Sequence, residues 1–467
     1  MTLPTPDKLR DLSRDELIAV IVLLTEQVRQ LTETVQQLQA EIERLKHPPA
    51  GASSRNSSQP PSRDWKGNTP TGGRKPKKRG AQAGHPKAER PLVEKPDQVI
   101  EARVLTCGGC GADLQAVTPT RVVRRQVTEL PILTPVVIET QQHEVCCPAC
   151  QLRQRGVLPP GLEAERWFGP RLEALVAYLH QSHHVGFDRL QTILQDVFGV
   201  ALSTGGEVAV LERAGGAAEP EAAAIGEQVR ASAVIQSDET SSRVNGRNHW
   251  EWVFVSVAGI YHLIRASRGQ DVIADFMGDQ RAEVWLSDCW KPQLNAPAQL
   301  HQLCLPHQIR ALQGLIDQRP HLRWAREMQA LFRTAIHLGH RRDELTPRGF
   351  GRQVTLLQRR LDRLLERSFT GRGTNLLDRY RTHRAHLFVF LHRTDVSADN
   401  NACERALRPS VIHRKVMGSF RSEWGAHAYA ALATVLDTAK RAGVNLFQKL
   451  VALMGQPILH YLQPSTS

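Results

Sequence analysis

Leucine recurs every seven residues near the start of the chain, at Leu17, Leu24, Leu31, Leu38 and Leu45. Ile21, Val28, Val35 and Ile42 each fall four residues after a leucine. Nine apolar positions spaced four and three make a narrow seam, whereas a helix packed on its own core usually shows a wider stripe. β-Branched residues at one seam position and leucine at the other favour a parallel two-stranded coiled coil over 14–46. At about 1.5 Å per residue the seam runs roughly 43 Å. No polar residue interrupts it, so the segment predicts a homodimer or a higher oligomer. His47-Pro48-Pro49 ends the helix.

The chain carries 60 Lys and Arg against 47 Asp and Glu, a net +13, and the excess is uneven. Between residues 48 and 90 there are ten basic and two acidic residues among Gly, Pro and Ser. That composition cannot build a core, so 47–98 reads as a disordered basic linker. Arg74, Lys75, Lys77, Lys78 and Arg79 within it are candidate phosphate contacts. Residues 321–393 hold sixteen Arg, no Lys and six acids, leaving the rest of the chain net acidic. Two separated basic segments suit a protein that holds a phosphate backbone in two places. The competing reading of the second segment is a set of solvated helix faces. No apolar run approaches the roughly 18–20 residues of a membrane span. The N-terminus lacks the basic and apolar regions of a secretory signal. The expectation is a cytoplasmic protein with no membrane partner and an anionic one, nucleic acid first.

Of the eight cysteines, Cys107-Gly-Gly-Cys110 and Cys147-Pro-Ala-Cys150 form two C-x-x-C pairs with 36 residues between them. Four thiolates at tetrahedral corners suit one structural Zn(II) with no open ligand position. Cys146 competes with Cys147 for the third corner, and the spacing favours Cys147. Disulfides are the alternative, disfavoured in a reducing compartment. Segments 99–105, 121–130 and 134–147 alternate or are β-branched, so 99–157 is expected to be a zinc-binding β module. Cys289, Cys304 and Cys403 read as buried small hydrophobes.

Residues 165–230 read as helices with a turn before Ser203, a candidate N-cap. That region is expected to be either a helix-turn-helix-like DNA-binding unit or a plain bundle. Residues 233–240, 249–259 and 261–269 then read as strands, followed by a helix at 271–278 and strands at 282–288 and 302–307. Three adjacent strands, a helix and a further strand is the order of a ribonuclease-H-like α/β sheet. Residues 308–393 look helical throughout, and helices recur at 400–415 and 425–453, broken by Gly418, Gly425 and Gly443. Asp238 and Asp288 each end a predicted strand. Glu404 lies on a helix capped near Asp399 or Asn400, one turn from Arg408 on the same face. Two-metal phosphoryl transfer needs carboxylates that converge on the ions. Each acid alone reads more simply as a cap or turn former.

With these residues the chain resembles a transposase of the insertion-sequence-sixty-six family, the transposase-C kind. The resemblance spans nearly the full length. It rests on the leucine zipper, Asn56-Ser-Ser-Gln-Pro-Pro-Ser62, the C-x-x-C pairs, Ser237-Asp-Glu-Thr240, Asp288 and above all the run from Asp399 to Lys415. It implies a multidomain protein: a coiled coil, a linker, a zinc module at 99–157 and a helical region at 165–230. A ribonuclease-H-like domain over 231–307 and 394–445 would follow, with an all-α insertion at 308–393 and a tail at 446–467. It implies that Asp238, Asp288 and Glu404 bind two Mg(II) or Mn(II) ions. The activity implied is cleavage of 3′ ends of a bacterial insertion sequence and strand transfer into target DNA. Arg405, Arg408, Arg414 and Lys415 are the candidate phosphate contacts near that site, and His307 the candidate accessory residue. Small accessory proteins of the same element and a nucleoid location are implied as well. Cys289-Trp290 and Cys304-Leu-Pro-His307 depart from the family's usual residues, and Pro306 bears on where the local helix starts. The alternatives are an element-derived repressor without catalysis, or a zinc-ribbon interaction protein.

Overall fold

The computed structural model describes scattered positions between 13 and 35, residues 90–159, 162, 166–455 and 458. The seam leucines, Ile42 and the basic run Arg74–Arg79 lie outside the described residues. Ile21, Val28 and Val35 are helical and about half or more exposed, at 60%, 60% and 48%. The chain divides into two compact units. The smaller comprises 66–141 and 191–202, and the larger holds 1–65, 142–190 and 203–467.

The larger unit is built on one five-stranded sheet of β3 (Val234–Val244), β4 (Arg247–Val255), β5 (Ile260–Arg265), β6 (Ala282–Ser287) and β7 (Ala298–Leu303). Its order is β5-β4-β3-β6-β7. The first three strands form an antiparallel meander, and β6 and β7 run parallel to β3. Asn245-Gly246 turns β3 into β4 with φ of 47° and 73°. Two successive positive φ angles are the geometry Asn-Gly favours, and the turn's twist matches that of the strands.

Strand alternation gives the sheet two covered faces. Ile235, Trp252, Phe254 and Trp285 pack on one face. There they meet α1 (Pro170–Ala177), α3 (Thr204–Arg230), α4 (Gln270–Met277), α11 (Glu423–Arg441) and α12 (Leu446–Met454). A π turn, Tyr178–Ser182, continues α1, and α2 (Phe187–Phe198) follows it. Helix α3 is thus part of the sheet's own core and does not stand as a separate bundle. Its Ser203 cap forms as expected, the hydroxyl accepting from Gly206 N at 3.2 Å. At the far end of this layer Glu173 is fully buried between Arg166 and Arg213, at 2.6 and 2.5 Å.

On the opposite face Val253 and Val255 pack against Cys403, Ala406 and Leu407 of α10 (Asn401–Met417). Val284, Leu286 and Leu303 pack into a core shared with the helices of 305–391. Those are α6 (Leu305–Gln318), α7 (Arg323–His340), α8 (Pro347–Leu365) and α9 (Thr374–Thr382), with single 3-10 turns between and after them. A short α5 (Lys291–Leu294) lies between β6 and β7. The expected helical insertion is therefore present, sharing the sheet's core through Trp324, Phe332 and Tyr380.

Three expectations need correction. Asp238 does not end its strand, because β3 runs on through Val244 into the hairpin. The strand expected at 302–307 lies earlier, at 298–303, and Leu305 already opens α6 with Pro306 in its first turn. Proline is tolerated there because its missing N–H has no intrahelical partner to lose. Over 99–157 the alternating segments do not form the expected strands. Among the described residues there are only β1 (Glu144–Cys146), β2 (Arg153–Arg155) and one bridge, Thr106 to Asp113. Val127, Ile132 and Val137 are more than nine-tenths exposed, so no buried face exists to hold a ladder together.

Candidate active site

Parallel pairing of β3 with β6 stops at Gln236 and Leu286. Asp238 lies two residues beyond that point, and Asp288 directly follows β6. Asp238 pairs with Val253, so it shares the face that α10 covers. The helix is tied to this spot by Asn400, fully buried, whose Nδ2 donates to the carbonyl of Ser237 at 2.9 Å. Glu404 follows in the first turn of α10. Burial, then the charges of Glu239 and Asp288, and more weakly that of Glu404, push the Asp238 carboxyl well above its ordinary range. Carboxylates crowded this way favour protonation or a compensating cation.

Glu404 is turned toward positive and polar partners. Its Oε1 lies 3.4 Å from Arg310 and 3.8 Å from His307 Nε2. Burial and the Arg310 charge lower the His307 pKa to about 4, so its ring is neutral at pH 7. Its Nδ1 sits 3.2 Å from Cys304 Sγ, which also accepts from Asn400 N at 3.3 Å. Burial raises the Cys304 thiol to about 12. Cys304 and Cys403 are buried as expected, and Cys289 is half-buried.

A fourth carboxylate adjoins this centre, from the other face of β3, and was missed from sequence. Glu239 is almost wholly buried, its side chain 2% exposed, and its pKa is raised by burial and by Asp288. It is held by Arg268 at 2.9 Å and by Gln293 Nε2 at 2.8 Å. Gln293 Oε1 accepts in turn from Ser237 Oγ and from Trp285 Nε1. The Arg268 guanidinium lies over Trp250 and Trp290, 4.5 and 4.3 Å from their ring centroids. Trp290 N donates to Asp288 Oδ1 at 2.9 Å, fixing the loop after β6. Glu239 adjoins Asp238 in Ser237-Asp-Glu-Thr240, but neither Arg268 nor the neutral amide Gln293 carries a local sequence signal.

The donor set fits a divalent ion in charge and hardness: oxygen donors in excess of nearby cations, one held at raised proton affinity. As the side chains stand, no three His, Cys, Asp or Glu among the described residues form a ready cage. At this site Glu404 faces Arg310. Holding an ion would require Glu404 to exchange that partner.

The phosphate candidates divide. Arg405, Arg408 and Lys415 are exposed along α10. Arg414 is half-buried and already bonded to Ser241, with Thr240 Oγ1 at 3.4 Å. It acts first as a clamp between α10 and β3.

Each cysteine pair makes the same turn. Cys107 N donates to Ala112 O and Gly111 N to Cys107 O, at 2.9 and 3.0 Å. Cys147 N donates to Leu152 O and Gln151 N to Cys147 O, at 2.9 and 2.8 Å. Gly111 and Gln151 both take positive φ, 74° and 58°. Backbone hydrogen bonds, first those from Cys110 and from Cys150, lower the pKa of Cys107 and Cys147 respectively. A lowered thiol pKa favours the thiolate that binds metal. Cys146 takes no part in this turn; it belongs to β1 and its Sγ faces Gln151 O at 3.4 Å.

No described helix is long and apolar enough to cross a membrane. No curated protein matches the chain. A family of unknown function matches residues 2–91. The model of the transposase IS66 family matches residues 165–428, more than half the chain, covering the sheet, the helical insertion and α10. The chain belongs to the IS66 family of transposases.

Proposed function

We propose that this chain cleaves the 3′ ends of its insertion sequence and joins them to target DNA, using Asp238, Asp288 and Glu404 to hold two Mg(II) or Mn(II) ions. The observation that carries the reading is the raised proton affinity of Asp238 beside Asp288 and Glu404. The sheet order, a meander followed by two parallel strands, supports a ribonuclease-H-like catalytic domain. Bound ions would supply Lewis acidity to the scissile phosphate and a hydroxyl nucleophile at neutral pH. Around them the chain's own residues do the positioning. Asn400 fixes α10 against Ser237, Trp290 N orients Asp288, and Arg310 balances Glu404 until the acid is engaged. Arg405, Arg408 and Lys415 are the phosphate contacts next to the site, and Arg74–Arg79 a second arm. Cys107, Cys110, Cys147 and Cys150 would hold one structural Zn(II). The heptad seam would pair two chains for two DNA ends, with accessory proteins of the element as further partners, in the bacterial cytoplasm.

The test is cleavage of a supercoiled plasmid carrying the element ends, with Mg(II) and any accessory proteins, by wild type and Glu404→Gln. Nicks at the 3′ ends that vanish in the variant while DNA binding survives support the reading. Equal cleavage by both removes Glu404 from the site. Equal inactivity with intact end binding favours a repressor.

A further inference from the structure

The helical insertion carries a face with no assigned role. Helix α8 buries Val354, Leu357, Leu361, Leu364 and Leu365. At 100° per residue, Arg348, Arg352, Arg359 and Arg363 fall within about 60° of one another, on the side opposite that apolar stripe. All four are exposed. None of them makes an ion pair among the described residues, although other insertion arginines do, such as Arg384 with Asp362 at 2.5 Å and Arg367 with Glu327 at 2.8 Å. Arg363 reaches only a backbone carbonyl, that of Arg359, at 3.4 Å. The one acid on the same face, Glu366, lies at the helix's C-terminal end. Four exposed guanidinium groups on one face, with a single acid at its end, form a positive strip that attracts an anionic partner.

We propose that this face of α8 is a track for the phosphate backbone of duplex DNA. The proposal rests on the transposase reading and names a contact surface within it. The four positions are spread over sixteen residues, a rise of about 22 Å along the helix. A strand winds about the duplex axis, so a straight track meets it over part of a turn, at about one phosphate per arginine and roughly four in all. Its length and charge match a backbone. Arginine also suits the task, since its planar fork takes phosphate oxygens two at a time. With no aromatic or amide side chain among these four positions, the track positions DNA and does not read its sequence.

The test is the salt dependence of duplex binding by the full-length protein, followed by fluorescence anisotropy between 50 and 200 mM KCl. Each neutralised phosphate contributes about 0.9 to the slope of log K against log salt. Replacing all four with glutamine (Arg348→Gln, Arg352→Gln, Arg359→Gln, Arg363→Gln) is expected to flatten the slope by about 3 to 4, equally for element ends and unrelated DNA. Replacing all four with lysine keeps the charge and is expected to keep the slope, which excludes misfolding as the cause. An unchanged slope in the glutamine variant overturns the track and leaves an acidic protein as the partner of this face. A slope lost equally in the lysine variant also overturns it, because phosphate binding does not distinguish the two so sharply. Binding is read in EDTA, where no metal-dependent cleavage occurs, so the slope does not depend on the acidic site. Failure of the catalytic reading and failure of the track therefore give different results.

Discussion

His262 predicts a stability that declines as pH rises. Its ring is fully buried, with Nδ1 2.9 Å from Glu251 Oε1 and Nε2 3.1 Å from Asp437 Oδ2. Burial opposes the charged form, but the hydrogen bonds to Asp437 and Glu251 outweigh it and raise the pKa from 6.5 to about 9. The folded state thus binds the proton more tightly than the unfolded chain. The resulting stability is fully present below pH 6.5 and is lost as pH climbs through 9. At 1.36 kcal/mol per pKa unit the whole effect is about 3 kcal/mol, most of which disappears between pH 7 and pH 10. The triad also reaches α10, which carries Glu404. Ser410 on α10 donates to Glu251 Oε1 at 2.6 Å, and Tyr429 on α11 donates to Ser410 at 3.0 Å. Urea unfolding followed by tryptophan fluorescence reports this region, because Trp252 and Trp285 lie fully buried in the sheet core. Wild type should lose stability across that pH range by more than His262→Gln does, the difference being about 2–3 kcal/mol. Parallel pH profiles for the two proteins would refute the assignment of a charged His262.

Three further outcomes follow from the packing and the turns. Glu173→Ala removes the partner of Arg166 and of the partly exposed Arg213 in the α1–α3–α12 layer, and thermal unfolding should register a loss of about 1–3 kcal/mol; a stabilised variant contradicts the ion-pair cluster. A Cβ on Gly215 would lie 2.8 Å from the Cα of Ala428, where α3 crosses α11. Gly215→Ala should therefore cost about 1–3 kcal/mol by the same measurement, and a stabilised variant contradicts the close approach. Elemental analysis should find one zinc per chain, lost in Cys110→Ser and Cys150→Ser and retained in Cys146→Ser; loss in the last would return Cys146 to the ligand set.

Much of the sheet was legible because its signals are local. Ser203 caps a helix from its own chemistry, and the runs at 249–259, 261–269 and 282–288 are β-rich in their own residues. The strand end was misplaced at Asp238 because the polar run after it resembles a loop. Those residues continue β3 by pairing with β4, a long-range contact that no local pattern records. The cysteine region failed for the converse reason. Its alternation is genuine, yet strands need a covered face, and Val127, Ile132 and Val137 have none among the described residues. At the site, acids announce themselves by type and position. Asn400 and Gln293 do not, since a buried amide acquires its role only from the partners that folding supplies.

The central claim is that Asp288 holds a metal that acts on DNA, and a change of metal preference tests it most directly. Thiolate is a softer ligand than carboxylate and favours Mn(II) or Cd(II) over Mg(II). Asp288→Cys should fail to cleave element ends in Mg(II) and recover cleavage in Mn(II) or Cd(II), while Asp288→Ala stays inactive in all three. Cleavage in Mg(II) by either variant at the wild-type rate would contradict the account.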